Sequence, residues 1–311
     1  MMLKVKLFEK FYHNFLYMKN LLLSFTLSLL FINLGNAQNE ILFFQTDWGF
    51  NGNVEDLIEK AKDSGYDGIE IWLPAESDKQ NLISKALKKF DMKVIFLCGT
   101  NGSLPFEESL EEYKNYLKKA IDQKPFAINS HTGSDFLNYD QNMAYINVAN
   151  YLSKKAGIPI YHETHRGRFS YSLPETTKYI KGNNDLKLTL DISHWMVVHE
   201  SLLKNQDELI NSVINRSNHI HARVGFEEGP QINDPQAPEW KSTVDRHLEI
   251  WESIIRKRWD EGKVISITTE FGPPNYMPTE PFTLKPLGNQ WEANTFIMKS
   301  LKDRLKKINR N

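Results

Sequence analysis

Cysteine is nearly missing from this sequence. Cys98 is the only one in 311 residues, so there is no disulfide framework and stability has to come from a buried core. A chain of this length can supply one. Cys98 ends the apolar run Val94-Ile95-Phe96-Leu97, where a small buried hydrophobe is its expected role. A charge excess is missing too: 38 Lys and Arg against 39 Asp and Glu leave a formal net charge of -1. Such a balance gives no electrostatic footprint for nucleic acid or an anionic membrane surface. No glycine-rich phosphate loop follows the first predicted strand, since Phe50-Asn51-Gly52-Asn53 reads only as a turn. Domain linkers, internal repeats and low-complexity segments are absent as well. Aromatics are not scarce: 7 Trp and 12 Tyr suit a carbohydrate-lined site and equally a core.

One apolar run stands out. Lys19 precedes residues 21–34, and Gly35-Asn36-Ala37 follow before Gln38. A basic flank, an apolar stretch and small residues at a cleavage position form the pattern of a secretory signal peptide. The run is short for a membrane span. Residues 1–37 are therefore expected to be a signal, with Met18 as an alternative start, and residues 38–311 a single exported domain, periplasmic or extracellular.

Past that point apolar β-type runs alternate with amphipathic helical stretches. Strands are expected at 41–46, 68–73, 93–98, 126–130, 158–163, 186–190, 218–223 and 264–269. Helices are expected at 53–64, up to about residue 90, at 106–122, 140–156, 202–214, 244–259 and 289–308. Gly65 closes the first of them as a C-terminal glycine should. Residues 225–240 form a connection too long to be plain, and long loops often serve as lids or binding loops. Eight such units in under 280 residues match the size of a (β/α)8 barrel. An open doubly wound sheet is the alternative.

In a parallel barrel every strand ends at the same face, so strand-end residues become neighbours. Collecting them gives Glu70 in strand two, His131 after strand four, and Glu163 with His165 after strand five. Strand six adds Asp191 and His194, strand seven His219, His221 and Arg223, and strand eight Glu270. Glu163, Asp191, His221 and Glu270 occupy corresponding places on four consecutive strands. Three carboxylates brought together without a cation would repel one another and resist burial. A divalent ion resolves this, with Mn²⁺ or Zn²⁺ favoured by the imidazole and Mg²⁺ compatible with the oxygens. Of the two histidines of strand seven, only His221 is expected to face the axis.

At these residues the chain resembles the xylose-isomerase-like barrel family, which includes sugar phosphate isomerases and epimerases and the endonuclease IV group. The resemblance is carried by Asp67-Gly68-Ile69-Glu70-Ile71, His162-Glu163, Asp191-Ile192-Ser193-His194, His219-Ile220-His221 and Thr269-Glu270-Phe271-Gly272, in that order on successive strands. It implies that Glu163, Asp191, His221 and Glu270 hold one metal. In the epimerase branch Glu163 and Glu270 would also move protons on opposite faces of a sugar. It further implies a substrate or metal contact for His194, matching the aspartate-to-histidine spacing.

Glu70, His131, His165 and Arg223 complete the expected substrate-binding set. Arg166 and Arg168 could fork onto a sugar carboxylate or hydroxyls, and Trp48, Trp72 and Trp195 flank the same face. The expected activity is proton abstraction next to a carbonyl, with a metal-stabilised enediolate, on a small-molecule sugar derivative: an isomerase or epimerase. Export argues against a phosphorylated substrate. The same chemistry with a leaving group gives a lyase on an oxidised 3-keto glycoside. A non-catalytic sugar-binding barrel and an abasic-site nuclease are the other readings. For the nuclease, strand two offers Glu70 where that branch would have a histidine. A homo-oligomer is compatible with the sequence.

Overall fold

The computed structural model describes residues 40–308. The expected signal peptide lies outside them. Eight parallel strands close on themselves: β1 (Ile41–Thr46), β2 (Gly68–Trp72), β3 (Lys93–Gly99), β4 (Ala127–His131), β5 (Ile160–Glu163), β6 (Leu188–Leu190), β7 (Ser217–Ala222) and β8 (Ile265–Thr269). The last pairs with the first, Ile41 opposite Ile265. The chain is a (β/α)8 barrel, and no free sheet edge remains.

Helices pack outside: α1 (Val54–Asp63), α2 (Ser77–Phe90), α3 (Phe106–Asp122), α4 (Tyr139–Ala156), α5 (Leu173–Gly182), α6 (Ser193–Val198), α7 (Asp207–Ile214), α8 (Lys241–Asp260) and α9 (Gln290–Ile308). Local chemistry sets their ends. Asn53 caps α1 by accepting from the Asp56 N–H, and Asn138 with Gln141 forms a reciprocal capping box on α4. Gly157 closes α4 at φ 70°, a conformation that favours glycine. Gly68 is needed for a different reason: a β-carbon there would meet the Phe44 ring at 2.4 Å and the Lys93 carbonyl at 2.5 Å.

Two helices escape the sequence pattern. Between the fifth and sixth strands α5 is capped by the Ser172 side chain and carries Pro174 in its first turn. The six-residue α6 starts two residues after Asp191, with Ile192 at its N-cap. The helix expected over 202–214 is shorter, beginning at Asp207. Strands five and six also begin two residues later than their apolar runs, at Ile160 and Leu188.

Side chains alternate between two cores with a period of two. Outward residues such as Phe43, Ile69, Phe96, Cys98, Ile128, Leu190, Ile220 and Ile267 join the helices in the main core. Cys98 is fully buried there, as its apolar run suggests. Leu42, Phe44, Ile95, Ala127 and Tyr161 form a separate cluster that plugs the barrel floor. Above that floor the inward positions turn polar: Asn129 on β4, His219 and His221 on β7, Ser266 and Thr268 on β8. Among the described residues no helix is long and apolar enough to cross a membrane.

Candidate metal centre and active site

The inward phase of β5 to β8 brings Glu163, Asp191, His221 and Glu270 to the same mouth. Ligand atoms of Glu163, Asp191, His221 and Glu270 all lie within 4.8 Å of one another, and all four residues are buried. His221 Nδ1 stands 2.9 Å from Glu270 Oε2 and 3.6 Å from Glu163 Oε2. The first pair is close but not aligned for a hydrogen bond, and both atoms are buried without a hydrogen-bond partner. Two unpartnered buried acceptors facing a common point are what a cation would satisfy, since polar atoms are seldom left orphaned. The donor set fits a divalent ion: three carboxylates and one imidazole.

Electrostatics gives the same picture. Burial opposes ionisation of Glu163, yet His131 and His221 hold its carboxyl well below the usual range. Burial likewise opposes a charge on His221, but Glu270, Glu70 and Glu163 outweigh it and shift its pKa well above the usual imidazole range. Arg223 is buried too, and Asp191 and Glu270 keep it charged. Its Nη2 donates to Asp191 Oδ2 and its Nε to Ser193 Oγ at 3.2 Å, while Nη1 lies 3.6 Å from Glu270 Oε2. A fixed guanidinium thus supplies positive charge where three acids meet, and the same acids draw a cation, a proton or a metal ion, to His221 Nδ1.

Of the other expected substrate contacts, His131, His165 and Arg223 line the cavity beside this centre, whereas His194 is buried behind it. His131 Nε2 lies 2.9 Å from Glu163 Oε2, and the Trp72 ring meets the His131 ring edge-on at 5.2 Å. His165 has its Nδ1 2.5 Å from the Arg166 carbonyl. That contact puts the proton on Nδ1 and leaves Nε2 as an acceptor. Burial and the nearby His131 push its pKa down to about 3, so the ring is neutral. His194 is fully buried between two guanidiniums, with Arg166 Nε 3.0 Å from Nδ1 and Arg223 Nη2 2.8 Å from Nε2. Burial keeps it neutral, and a neutral imidazole has one lone pair, so only one of these contacts is a hydrogen bond. Glu163, His131, His165, Arg223 and Glu270, with Trp48, Trp72 and Tyr276, line a cavity of about 150 Å³. Larger hollows exist between α2 and α3 and beside α5, but neither touches an acid–imidazole cluster.

Several sequence expectations need correction. His219 does not face away from the axis. Positions two apart on a strand share a face, and His219 sits inside the barrel one layer below His221, 3.2 Å from Glu70 Oε2. Glu70 lies in that same lower layer, fully buried beneath His221, and is not among the cavity-lining residues. Trp195 does not flank the cavity; it is buried on α6, its indole N–H donating to the Ser170 carbonyl at 2.9 Å. Arg168 reaches toward the Gly133 carbonyl at 3.4 Å.

Three residues of the site were not anticipated. Asn129 Nδ2 reaches Glu70 Oε1 at 2.9 Å and Glu163 Oε2 at 2.8 Å, linking the two layers. Its signal was available, since it precedes His131 by two and shares the inward phase. Asp47 follows β1, and burial, with Glu70 and Glu270 adding to it, pushes its carboxyl up to about 7. Tyr276 stands in the loop after β8, 4.6 Å from the Arg223 guanidinium and in hydrogen-bond contact with Arg166 Nη2 at 3.2 Å. A tyrosine inside a long loop carries no periodicity to mark it. The loops after β7 and β8 are joined by Gln231, which exchanges two hydrogen bonds with the Gly272 backbone at 2.7 and 3.1 Å.

Known structures repeat this architecture. The 3-keto-D-glucoside 4-epimerase YcjR of E. coli superposes with a TM-score of 0.56 at 13% identity, covering 85% of this chain and 100% of that one. The AP endonuclease, family 2, of Brucella melitensis gives 0.54 at 15%, over 76% and 94%. The probable 3-DHS dehydratase AsbF of Bacillus anthracis, involved in petrobactin synthesis, gives 0.53 at 14%, over 84% and 98%. At such identities the likeness is one of fold. No curated protein sequence matches the chain. The family model for the xylose isomerase-like TIM barrel matches residues 58–258, which run from α1 to the end of α8 and include every strand but β1 and β8. The chain belongs to the xylose isomerase-like TIM barrel family.

Proposed function

We propose that the protein is a divalent-metal-dependent enzyme of the isomerase or epimerase type, acting on a sugar derivative by moving a proton next to a carbonyl. The observation that carries this is the convergence of Glu163, Asp191, His221 and Glu270, with His221 Nδ1 and Glu270 Oε2 unpartnered at its centre. A bound ion, Mn²⁺ or Zn²⁺ by the donor set, would supply Lewis acidity toward a carbonyl and its neighbouring hydroxyl.

The chain's own residues do the rest. Glu163 and Glu270 come from β5 and the end of β8, so a sugar lying in the cavity presents different faces to them. One abstracts the proton and the other returns it. His131 donates to Glu163 and steadies it, and the lone pair on His165 Nε2 can take a substrate hydroxyl proton in a hydrogen bond. Arg166 and Tyr276 lie at the rim, where their donors can meet sugar oxygens. Trp48 and Trp72 wall the cavity and offer ring faces or edges to a sugar. The signal-like N-terminus supports export, and with it a sugar without phosphate.

Elemental analysis and deuterium wash-in on free and 3-keto sugars test the reading. About one equivalent of Mn or Zn, with exchange at a carbon beside a carbonyl, is the expected result. Exchange accompanied by loss of a substituent would assign β-elimination at the same site. No metal and no exchange would overturn the proposal in favour of a sugar-binding barrel.

A further inference from the structure

The buried layer beneath the site has its own chemistry, and it is not open to substrate. Glu70 is fully buried on β2 yet receives four donors: His221 Nε2 at 3.0 Å, His219 Nε2 at 3.2 Å, Asn129 Nδ2 at 2.9 Å, and the Thr268 hydroxyl. Below it, His219 Nδ1 meets Ser266 Oγ at 2.7 Å. A chain of polar groups thus runs Ser266–His219–Glu70–His221 up to the metal centre, with every member buried.

We propose that Glu70 is a positioning residue that fixes the His221 ring, so that Nε2 carries the proton and Nδ1 offers its lone pair to the divalent ion. The proposal rests on the metal-dependent reading above.

Proton counting supports it. The Asn129 amide group has two N–H protons and faces two carboxylates, Glu70 at 2.9 Å and Glu163 at 2.8 Å. Both protons are spent there, and this fixes which amide atom is nitrogen. Nothing is left for His221 Nε2, although it lies 3.0 Å from the same Nδ2. Nε2 therefore brings its own proton, and Glu70 Oε1 accepts it. On the other side of the ring Nδ1 faces Glu270 Oε2 out of hydrogen-bond alignment. A carboxylate behind a ligating imidazole fixes its tautomer and raises its basicity. Asn129 extends the same layer to Glu163, so two ligands are set from below by one network.

Glu70→Gln tests this, because it keeps the shape and removes the acceptor charge. Zn²⁺ affinity, read by chelator competition, is expected to weaken about 10–100-fold with cooperative unfolding retained. Imidazole nitrogen NMR supplies a readout that a merely structural role would not move: a slowly exchanging, strongly hydrogen-bonded Nε2–H on His221 in Zn²⁺-loaded wild type, exchanging faster and with a weaker hydrogen-bond shift in the variant. Zn²⁺ binding within about twofold of wild type, outside the range expected for such a backing group, would overturn the proposal. Thr268→Val removes only one donor to Glu70 and should weaken Zn²⁺ in the same direction by less; it carries the test should Glu70→Gln not fold. Wild type that takes up no Zn²⁺ would sink the metal reading instead. The Nε2 proton in metal-free protein would then decide the role of Glu70 by its faster or unchanged exchange in Glu70→Gln.

Discussion

On the proposed reading Glu270 combines two tasks, metal ligation and proton transfer, that one substitution can probe. It follows β8 directly, its Oε2 is buried and unpartnered, and it faces His221 Nδ1. No neighbour is hydrogen-bonded to that oxygen, although Arg223 and His221 face its charge. Glu270→Gln keeps the shape but removes a charge that Arg223 and His221 face, so unfolding should stay cooperative with a loss of about 1–3 kcal/mol at most. Turnover should fall by at least about 10²–10⁴-fold, the usual contribution of a general acid or base. The measurement is proton exchange at saturating metal alongside calorimetry. Near-normal exchange would remove Glu270 from the chemistry, whereas a collapsed midpoint would mean that it holds the barrel mouth together.

Among the elements, α5 shows how a local cap secures a helix that periodicity did not reveal. Ser172 accepts from the Glu175 N–H, Pro174 sits where its missing N–H is no loss, and Leu173, Thr176, Thr177, Tyr179 and Ile180 are buried. Three of those five are polar or amphipathic, which hides the apolar face from a hydropathy scan. Ser172→Ala should destabilise the protein by about 1 kcal/mol, measured by denaturant unfolding with an unchanged m-value; no change would mean that tertiary packing alone sets the start of α5. The strands were easier to read. Their outward faces are apolar and β-branched, so their number and order were legible, and the convergence of Glu163, Asp191, His221 and Glu270 followed from parallel topology. The lower layer was less legible for a physical reason. Polar inward residues such as Asn129, His219 and Thr268 look like a solvated face until closure of the barrel buries them. The phase of β7 could have been read correctly, since His219, His221 and Arg223 alternate as one inward set. Tyr276 and Asp47 come from irregular loops, where only the closed fold brings them to the site.

At the scale of the whole molecule, the barrel mouth is tied to the outer helices by buried groups that tolerate no extra charge. His247 on α8 is the clearest. Its Nδ1–H donates to the Thr243 carbonyl at 2.9 Å, and its Nε2 accepts from the Gly225 N–H at 3.2 Å. Gly225 begins the long connection after Arg223, and a β-carbon there would meet Ser193 at 2.7 Å, so this junction is packed against α6. Burial lowers the His247 pKa from 6.5 to about 4, against a weaker opposing effect from the Thr243 carbonyl. Below its unfolded pKa the unfolded chain binds a proton that the native ring refuses. Stability is then complete above about pH 6.5 and falls as pH drops toward about 4, below which both states are protonated and the contribution is flat. The slope from this group is about 1.4 kcal/mol per pH unit within that window. Denaturant unfolding between pH 7 and 4 should show this loss. His247→Gln, which cannot charge, should flatten the profile by about one proton while lowering stability at pH 7 through imperfect hydrogen bonds to Gly225 and Thr243. An unaltered slope in the variant would place the acid sensitivity elsewhere, in the crowded imidazoles of the barrel mouth, and metal loading should then shift it.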